Sequence, residues 1–507
     1  MNRPRRAAVL LACLGSLSAG CGLLLATPGG EAKVGEVAAK DIEEQVGFVD
    51  MPGLQTYVST IGERLAEEHS VRSGVSFEFH VVDMTAPNAF ALPGGHIYVS
   101  RGLLVLLNDE DELANVLGHE VGHVSARHHM KHAMLDAPFV PVRLATGIAG
   151  AAVNLVAAPL GRLGAPLRAG GAVMKGIGGA TGSLSLAAHS RSQEREADEI
   201  GQRLAAAGGW DPLGLTRAME ALSRDARLRG KDPSEQHFLD THPTTPERER
   251  TTTERAATLV RADLPPVAPD RAHFLATLDG LLVGEPASQG VVVDREFLHP
   301  ELALRLAFPE GWEVKNGASN VTASPRDDEE GAEVFVALGV ADESDDPEAV
   351  AQAVLKKSSL DVDHALETGA IGSLRSAHVE GRDRAGRTAY RVAATWIAHR
   401  GFVYQVVAAA PETQWGRYRD AFTAAAKSFR PLTSSDAARI TEGHLRIVKA
   451  GRGESLAALV GRHSTPWTVA TAAAANALPD DAALEAQQPV KLSISETYRP
   501  APKTAKE

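Results

Sequence analysis

Cysteine is almost absent from this chain of 507 residues: its two cysteines, Cys13 and Cys21, both lie in the first 21 positions. If this N-terminal segment is processed, no thiol remains for a disulfide or a zinc finger. Catalysis by a nucleophilic cysteine is excluded on the same ground. Any metal ion must therefore be held by imidazole, carboxylate and water.

Net positive charge is also lacking, because 52 lysine and arginine residues are outnumbered by 64 aspartate and glutamate residues, for a formal net charge of -12. This balance argues against attraction of the whole surface to nucleic acid, and we expect no nucleic-acid partner. The composition, 44% hydrophobic and 23% charged, is otherwise that of a soluble globular protein. The length predicts two to four domains.

Long apolar runs are scarce, and the first is Ala7–Gly20, which follows a basic head and is too short to span a bilayer comfortably. It predicts a secretory signal peptide. The end of the run, Leu17–Cys21, resembles a bacterial lipobox, after whose cleavage the cysteine is lipidated. We therefore expect lipid attachment at Cys21 and a membrane anchor; plain secretion with an incidental cysteine is the alternative.

A second run, Leu144–Gly161, carries no charge but is interrupted by Gly147, Gly150, Asn154 and Pro159. Its 18 residues are marginal for a membrane span. A buried or site-covering helical segment, or a partly mobile loop, fits this pattern better than a membrane helix.

The pentapeptide His119–His123 carries the strongest chemical signal. On a helix, residues four apart project from one face, so His119 and His123 can present ring nitrogens to one metal ion. Glu120 lies about 100° around the axis, where it can reach an attacking water without binding the metal. The alternative is a pair of solvated or capping histidines on an ordinary helix.

The flanking residues predict that helix. Asn108 or Asp109 can cap its N-terminus. Gly118 and Gly122, four apart, are poor helix formers and predict close packing of another element. An apolar stripe is formed by Leu113, Leu117, Val121 and Val124.

A third protein ligand is expected at a catalytic zinc site. In the segment Ser190–Asp198, Glu194 and Asp198 are four apart and share a helix face. Glu194 could bind the metal while Asp198 accepts a hydrogen bond from a ligand imidazole. Taken alone, such a segment is more often a solvated, charged helix face, and only its pairing with the histidine motif favours a metal ligand.

Four motifs in this order resemble one family: Asn88–Gly95, His119–His123, Ser190–Asp198, and Thr241–Pro243 followed by Arg248. The family is that of the CAAX prenyl protease-like zinc metallopeptidases, in particular its soluble bacterial, BepA-like envelope branch. The resemblance implies a mainly α, gluzincin-type fold with a small sheet. It also implies one zinc ion per chain, bound by the matching residues His119, His123 and Glu194.

The same resemblance implies roles for further residues. Glu120 is the general base, and His242 can occupy the fourth zinc position as a latch. Asp198 and Arg248 hold the ligand residues in position without binding the metal themselves. The strand after Pro93–Gly95 would lie beside the site and pair with substrate. Neighbouring His128 and His129 are not expected to be ligands.

The segment Ile447–Leu456, together with Asn476 and Gln488–Leu492, resembles a LysM module of βααβ order, which suggests peptidoglycan as a partner. Its usual Gly-Asp pair is replaced by Gly453 and Glu454, so a degenerate structural module is the alternative. Between this module and the zinc motifs, strands of period two and an amphipathic helix predict a separate domain, weakly resembling the PsbP/Mog type.

These patterns together predict a multidomain organisation. In chain order, the predicted segments are a lipoprotein signal peptide and lipobox (1–21), a tether (22–33), the zinc metallopeptidase domain (34–262), a connector (263–296), an α/β (α+β) accessory domain (297–432), the LysM-like module (440–494) and a disordered tail (495–507).

These observations predict a lipid-anchored zinc metalloendopeptidase of the bacterial cell envelope, facing the periplasm from the outer membrane. Its expected substrates are unfolded or misassembled envelope proteins. A chaperone-like or cell-wall-binding lipoprotein with a latent metal site is the main alternative, although a pure binder has no need of Glu120. A hydrolase acting on other bonds is the second alternative, which the pentapeptide alone would permit.

Overall fold

The structure, a computed structural model, describes residues 28–67, 74–128, 189–229, 238–317, 320–326, 334–358, 360–383 and 389–500. The predicted signal peptide with Cys21, the apolar run Leu144–Gly161, His129 and residues 501–507 lie outside these ranges. No helix within them combines the length and apolar character that a membrane span requires.

The described residues form two compact units. The first combines the residues up to Gly284 with Gly443–Ser495, and the second contains Glu285–Glu442. Part of the connector predicted at 263–296 packs in the first unit, where Phe274 and Leu275 are fully buried in the core. Its short apolar stretch has too little periodicity to reveal that packing.

The first unit is mainly helical with a small sheet, as predicted. Its first helix begins at Pro28, not near Val34, so the predicted tether is partly helical. Proline suits a first helical turn because the N–H that it lacks has no helical partner there. The elements are α1 (Pro28–Gln45), α2 (Pro52–Ala66), β1 (Glu78–Val82), β2 (Ala89–Ala91), β3 (His96–Ser100), α3 (Arg101–Leu106), α4 (Glu110–Ser125), α5 (Arg191–Ala207), α6 (Gly214–Arg229), α7 (Phe238–Thr241), α8 (Pro246–Ala256), α9 (Arg271–Thr277) and β4 (Leu282–Val283).

The small sheet has the order β1-β3-β2, with β1 parallel and β2 antiparallel to β3. This order corrects one implication of the family resemblance. The strand after Pro93–Gly95 is β3, which is paired on both sides and cannot accept an added strand. Among the described residues, the unpaired edge beside helix α4 belongs instead to β2, Ala89–Ala91, which packs against that helix.

The second unit is built on an eight-stranded antiparallel sheet. Its elements are β5 (Val291–Val293), β6 (Glu296–His299), β7 (Leu304–Ala307), β8 (Trp312–Asn316), β9 (Asn320–Pro325), β10 (Phe335–Asp342), α10 (Pro347–Lys357), β11 (Leu360–Val362), β12 (Glu367–Ile371), β13 (Leu374–Asp383), β14 (Tyr390–His399), β15 (Phe402–Pro411), α11 (Trp415–Lys427), β16 (Arg430–Pro431) and α12 (Ser434–Ala437). The strand order of the sheet is β11-β13-β14-β15-β10-β9-β8, and β12 also pairs with β13. Helix α10 packs on one face and α11 on the other.

The C-terminal segment has the predicted βααβ order: β17 (Thr441–Lys449), α13 (Leu456–Gly461), α14 (Val469–Ala475) and β18 (Pro489–Thr497). Its likeness to LysM stays a prediction. Strand β18 continues to Thr497, so the tail predicted from residue 495 begins later. Strand β17 lies between β18 and β4, which joins the module to the peptidase region through a shared sheet.

A buried lysine strengthens this junction. Lys491 of β18 is fully buried, and its Nζ donates to the carbonyl oxygens of Val105 and Leu107, at 2.8 and 2.6 Å. Burial lowers the pKa of Lys491 and raises that of the neighbouring Glu112 on α4. The C-terminal module therefore contacts the end of α3, just before the helix that carries His119.

Replacement of this lysine, Lys491→Met, is expected to lower the free energy of unfolding of the first unit by about 3 kcal/mol. Methionine fills a similar volume, but the two carbonyl groups lose their donor and Glu112 loses its neighbouring cation. Urea-induced unfolding monitored by circular dichroism measures the change. Lys449→Met is the matched control, because Lys449 is exposed in the same module and should change stability by less than about 0.5 kcal/mol. Equal stability of the two variants would contradict the structural role.

Candidate metal centre

Helix α4 carries the two histidines and the glutamate of the pentapeptide. Asp109 is its N-cap and accepts a hydrogen bond from the backbone N–H of Glu112 at 2.9 Å, as predicted. The predicted apolar stripe is buried in the main core. His119, Glu120 and His123 are also fully buried, because a second helix covers the opposite side of α4.

That second helix is α5, whose N-terminus is fixed by a capping box of Ser190 and Gln193. The glycines of α4 meet its backbone, as their spacing predicts. A Cβ atom on Gly118 would lie 2.9 Å from the carbonyl oxygen of Gly201, and one on Gly122 would lie 2.9 Å from that of Ala197. The helices therefore cross at backbone contact distance.

This crossing brings Glu194 of α5 to the histidine pair. The Nε2 atom of His123 lies 2.9 Å from Nε2 of His119 and 3.4 Å from Oε1 of Glu194. Oε2 of Glu194 lies 3.6 Å from Nε2 of His119. A tetrahedral zinc ion with bonds of roughly 2.0–2.2 Å separates its ligand atoms by about 3.3–3.6 Å. The two distances to Glu194 lie in this range, the two histidine nitrogens lie closer together than it, and the donor types are those that zinc prefers.

His242 completes the group. It follows α7, and its ring stacks on Phe238 at 4.4 Å between ring centroids. Its Nδ1 lies 3.0 Å from Oε1 of Glu194 and 3.2 Å from Nε2 of His119. Ligand-type atoms of all four residues, three histidines and one glutamate, lie within 4.8 Å of one another.

Asp198 and Arg248 lie behind this group in the predicted arrangement. Oδ1 of Asp198 lies 3.0 Å from Nδ1 of His119, which leaves Nε2 directed at the centre. Arg248 of α8 donates to both carboxylate oxygens of Asp198 at 2.7 Å and lies 2.7 Å from Glu194. It also donates to the backbone carbonyl of His242. The guanidinium of Arg248 thus connects its own helix α8 with helix α5 and with the backbone at His242.

Glu120 faces the centre without joining the ligand group. Both of its carboxylate oxygens are buried and have no hydrogen-bond partner within the described ranges. Its Oε1 lies 3.6 Å from Nε2 of His242. A buried carboxylate without partners is costly, so a polar molecule beside it would be stabilised. Burial raises the pKa of Glu120, which favours a group that can take up a proton.

Burial and charge set the protonation of the ligand group. Burial lowers the pKa of His123 well below its ordinary value, and the neighbouring His119 lowers it further. Burial alone would raise the pKa of Glu194, but His242 and the bond to His123 hold it below its ordinary value. A neutral imidazole and an ionised carboxylate are the forms that bind a metal ion.

Sequence reasoning misses two residues around His123. For His128 it predicts only that the residue is not a ligand; the side chain is fully buried, and its Nδ1 lies 3.0 Å from Nδ1 of His123. Its Nε2 lies 3.1 Å from Oε2 of Glu196. The ring of His189 lies 4.0 Å from that of His123. One signal for the contact of His128 is present in the sequence. It is a histidine that follows the expected ligand His123 by five residues, beyond the end of α4.

A buried pair of histidines four apart on one helix, an adjacent glutamate, and a carboxylate from a crossing helix form the arrangement expected of a metallopeptidase site. Residues 52–256 match the profile of peptidase family M48. This match confirms the resemblance read from the motifs of the region.

Curated relatives agree with that assignment. The beta-barrel assembly-enhancing protease of Yersinia pestis is 30% identical over 219 residues, 42% of this chain and 41% of that protein. The mitochondrial metalloendopeptidase OMA1 of Schizosaccharomyces pombe is 29% identical over 223 residues, 43% of this chain and 59% of that protein. The chain spans less than two thirds of the length of these relatives.

Among solved structures, cyanobacterial PsbP from Synechocystis sp. PCC 6803 is similar over 28% of this chain and 95% of its own length. The identity is 14% and the TM-score is 0.22. A likeness of this size supports no argument about the second unit, whose relation to the PsbP/Mog type stays a prediction.

Proposed function

We propose that the chain is a zinc metalloendopeptidase that hydrolyses unfolded or misassembled proteins of the bacterial cell envelope. The observation that carries the proposal is the buried group of His119, His123 and Glu194 with the buried Glu120 beside it, whose carboxylate accepts no hydrogen bond from the described residues. The name of the Yersinia relative supports envelope proteins as substrates. Attachment to the outer membrane through Cys21, and peptidoglycan binding by the C-terminal module, remain predictions.

Each residue of the proposed site has its own role in peptide-bond hydrolysis. Zinc, held by His119, His123 and Glu194, would polarise the scissile carbonyl and lower the pKa of a water molecule. Glu120 takes the proton of the attacking water and delivers it to the leaving amine. Asp198 holds the imidazole of His119 in one orientation, and no covalent intermediate with a side chain is needed.

The edge of β2 is the surface on which an extended substrate could pair. The ladder with β3 uses the carbonyl of Asn88 and the N–H of Leu92, at 2.8 and 2.7 Å. In an antiparallel ladder the intervening residues Ala89 and Ala91 direct their N–H and C=O groups to the other side. The N–H of Phe238, just before His242, donates to Pro87 next to this strand, so the edge begins beside the site.

His242 is proposed to act as a latch. Its Nδ1 lies within reach of the same centre as His119 and Glu194, where a catalytic zinc site keeps a position for water. An imidazole in that position excludes the water until it is displaced. Arg248 holds the loop of His242 through hydrogen bonds to the carbonyl oxygens of His242 and Pro243, both at 3.3 Å. Release of the latch would break these two bonds, while Arg248 could keep its contact with Asp198.

The zinc-loaded full chain is expected to degrade casein, an unfolded protein, and His242→Ala is expected to raise the rate about tenfold by removing the latch. Gel-based cleavage of casein at equal zinc content measures the rates. Removal of zinc by a chelator should stop both reactions, and one equivalent of zinc should restore them.

The matched control is His364→Ala, an exposed histidine of the second unit, which should leave the rate unchanged. A rate for His242→Ala equal to or below that of the wild type would refute the latch and favour a role for His242 in stabilising the transition state. If the zinc-loaded wild type and the zinc-loaded His242→Ala variant both left casein intact, the proposed peptidase activity would be refuted. That result would favour a protein that binds its clients without cleaving them.

A further inference from the structure

A second group of metal-binding side chains lies on the small sheet, away from the catalytic cluster. Glu78 of β1 and His96 of β3 are direct neighbours in the parallel register. His80 is two residues after Glu78, so the alternation of the strand places it on the same face. The opposite face of the sheet, with Phe79 and Ile97, packs in the main core.

The distances within this group resemble those of the catalytic cluster. Oε2 of Glu78 lies 3.1 Å from Nδ1 of His96 and 3.7 Å from Nε2 of His80. The three ligand-type atoms all lie within 4.8 Å of one another. The corresponding distance between His123 and Glu194 is 3.4 Å. In both groups these distances lie close to the separation of about 3.3–3.6 Å that a tetrahedral zinc ion imposes on its ligand atoms.

The two imidazoles are held in place before any ion binds. The ring of His80 stacks between Phe48 and Tyr98, at centroid distances of 4.9 and 5.5 Å. The Nδ1 atom of His96 is buried and has no hydrogen-bond partner within the described ranges, although the carboxylate of Glu78 is close.

We propose that Glu78, His80 and His96 bind a second divalent transition-metal ion, of the class of Zn²⁺, Ni²⁺ or Cu²⁺. Two imidazoles and one carboxylate suit these ions, whereas Mg²⁺ and Ca²⁺ prefer oxygen ligands alone. The ion would cross-link β1 to β3. The side chain of Glu43 on α1 adds negative charge near His80, which favours a cation. The site does not depend on the proposed peptidase activity.

Zinc content of the purified full chain tests this site. Wild type and a His80→Ala/His96→Ala double variant are equilibrated with zinc and passed over a desalting column, and the bound metal is measured by mass spectrometry. The double variant is expected to retain one equivalent of zinc fewer than the wild type. Its rate of casein cleavage should stay within about twofold of the wild-type rate, because neither histidine belongs to the catalytic cluster.

Two further variants test whether the loss of zinc is specific to this site. Glu78→Gln removes the carboxylate with little change of shape and should also lose one equivalent. His273→Ala is the matched control: His273 lies 2.8 Å from Asp270 in an exposed pair outside both groups, and its loss should leave the zinc content unchanged. Equal zinc content in wild type and a folded double variant, verified by circular dichroism, would overturn the proposal. Failure of casein cleavage in all of these proteins would not affect it, because the readout is the difference of one equivalent.

Discussion

Glu120→Gln is expected to lower the rate of casein cleavage by about 10³-fold or more while the chain keeps its zinc. Glutamine has nearly the same shape as glutamate but cannot take up the proton of the attacking water. The metal should remain, because His119, His123 and Glu194 are unchanged and Glu120 projects about 100° away from the histidine face of the helix.

The comparison needs zinc content and cleavage rate measured on the same preparations. Glu199→Gln is the matched control: Glu199 also lies on a helix of this unit, but it is exposed and pairs with Arg203 at 3.5 Å. Its rate should equal that of the wild type. Zinc-loaded Glu120→Gln that degrades casein as fast as the wild type would end the assignment of Glu120 as the general base.

Gly201→Ala is expected to weaken zinc binding by about 100-fold and to destabilise the first unit by about 1–3 kcal/mol. A Cβ atom at Gly201 would lie 2.6 Å from the backbone nitrogen of His119. Backbone cannot rotate away as a side chain can, so the two helices must separate. Glu194 on one helix then moves away from the histidines on the other.

Competition with a chromophoric zinc chelator measures the affinity, and urea-induced unfolding measures the stability. Gly53→Ala is the matched control, because Gly53 lies in helix α2 of the same unit and an added Cβ would meet no atom within 4 Å. That variant should keep wild-type affinity and gain up to about 1 kcal/mol of helix stability. A Gly201→Ala protein that binds zinc as tightly as the wild type would show that the crossing tolerates the added methyl group.

Local spacing is the most informative part of the sequence. An α-helix turns once in 3.6 residues, so residues four apart must share a face in any fold. This rule predicts that His119 and His123 face one centre and that Glu194 and Asp198 point together. Gly118 and Gly122 are also four apart and share a face, and their small size predicts that another element packs closely there. The structure confirms this packing.

Contacts between distant segments are harder to predict. The pairing order of the small sheet, which makes β2 the free edge, depends on where β1 lies in space. The docking of Lys491 against α3 joins residues 386 positions apart. The contact of His128 with His123 depends on the turn beyond α4. No short-range pattern encodes these arrangements, because each is stabilised by burial against residues far away along the chain.

By itself, the sequence determined the family, the helix faces and the residue types available to hold a metal, because backbone geometry and side-chain chemistry are local properties. Only the tertiary structure decided how closely the two helices cross, which places Glu194 3.4 Å from His123, and that the C-terminal module packs on the peptidase region. The physical reason is that both depend on how helices and strands pack against one another. Packing is set by the summed burial of many residues and not by any one motif.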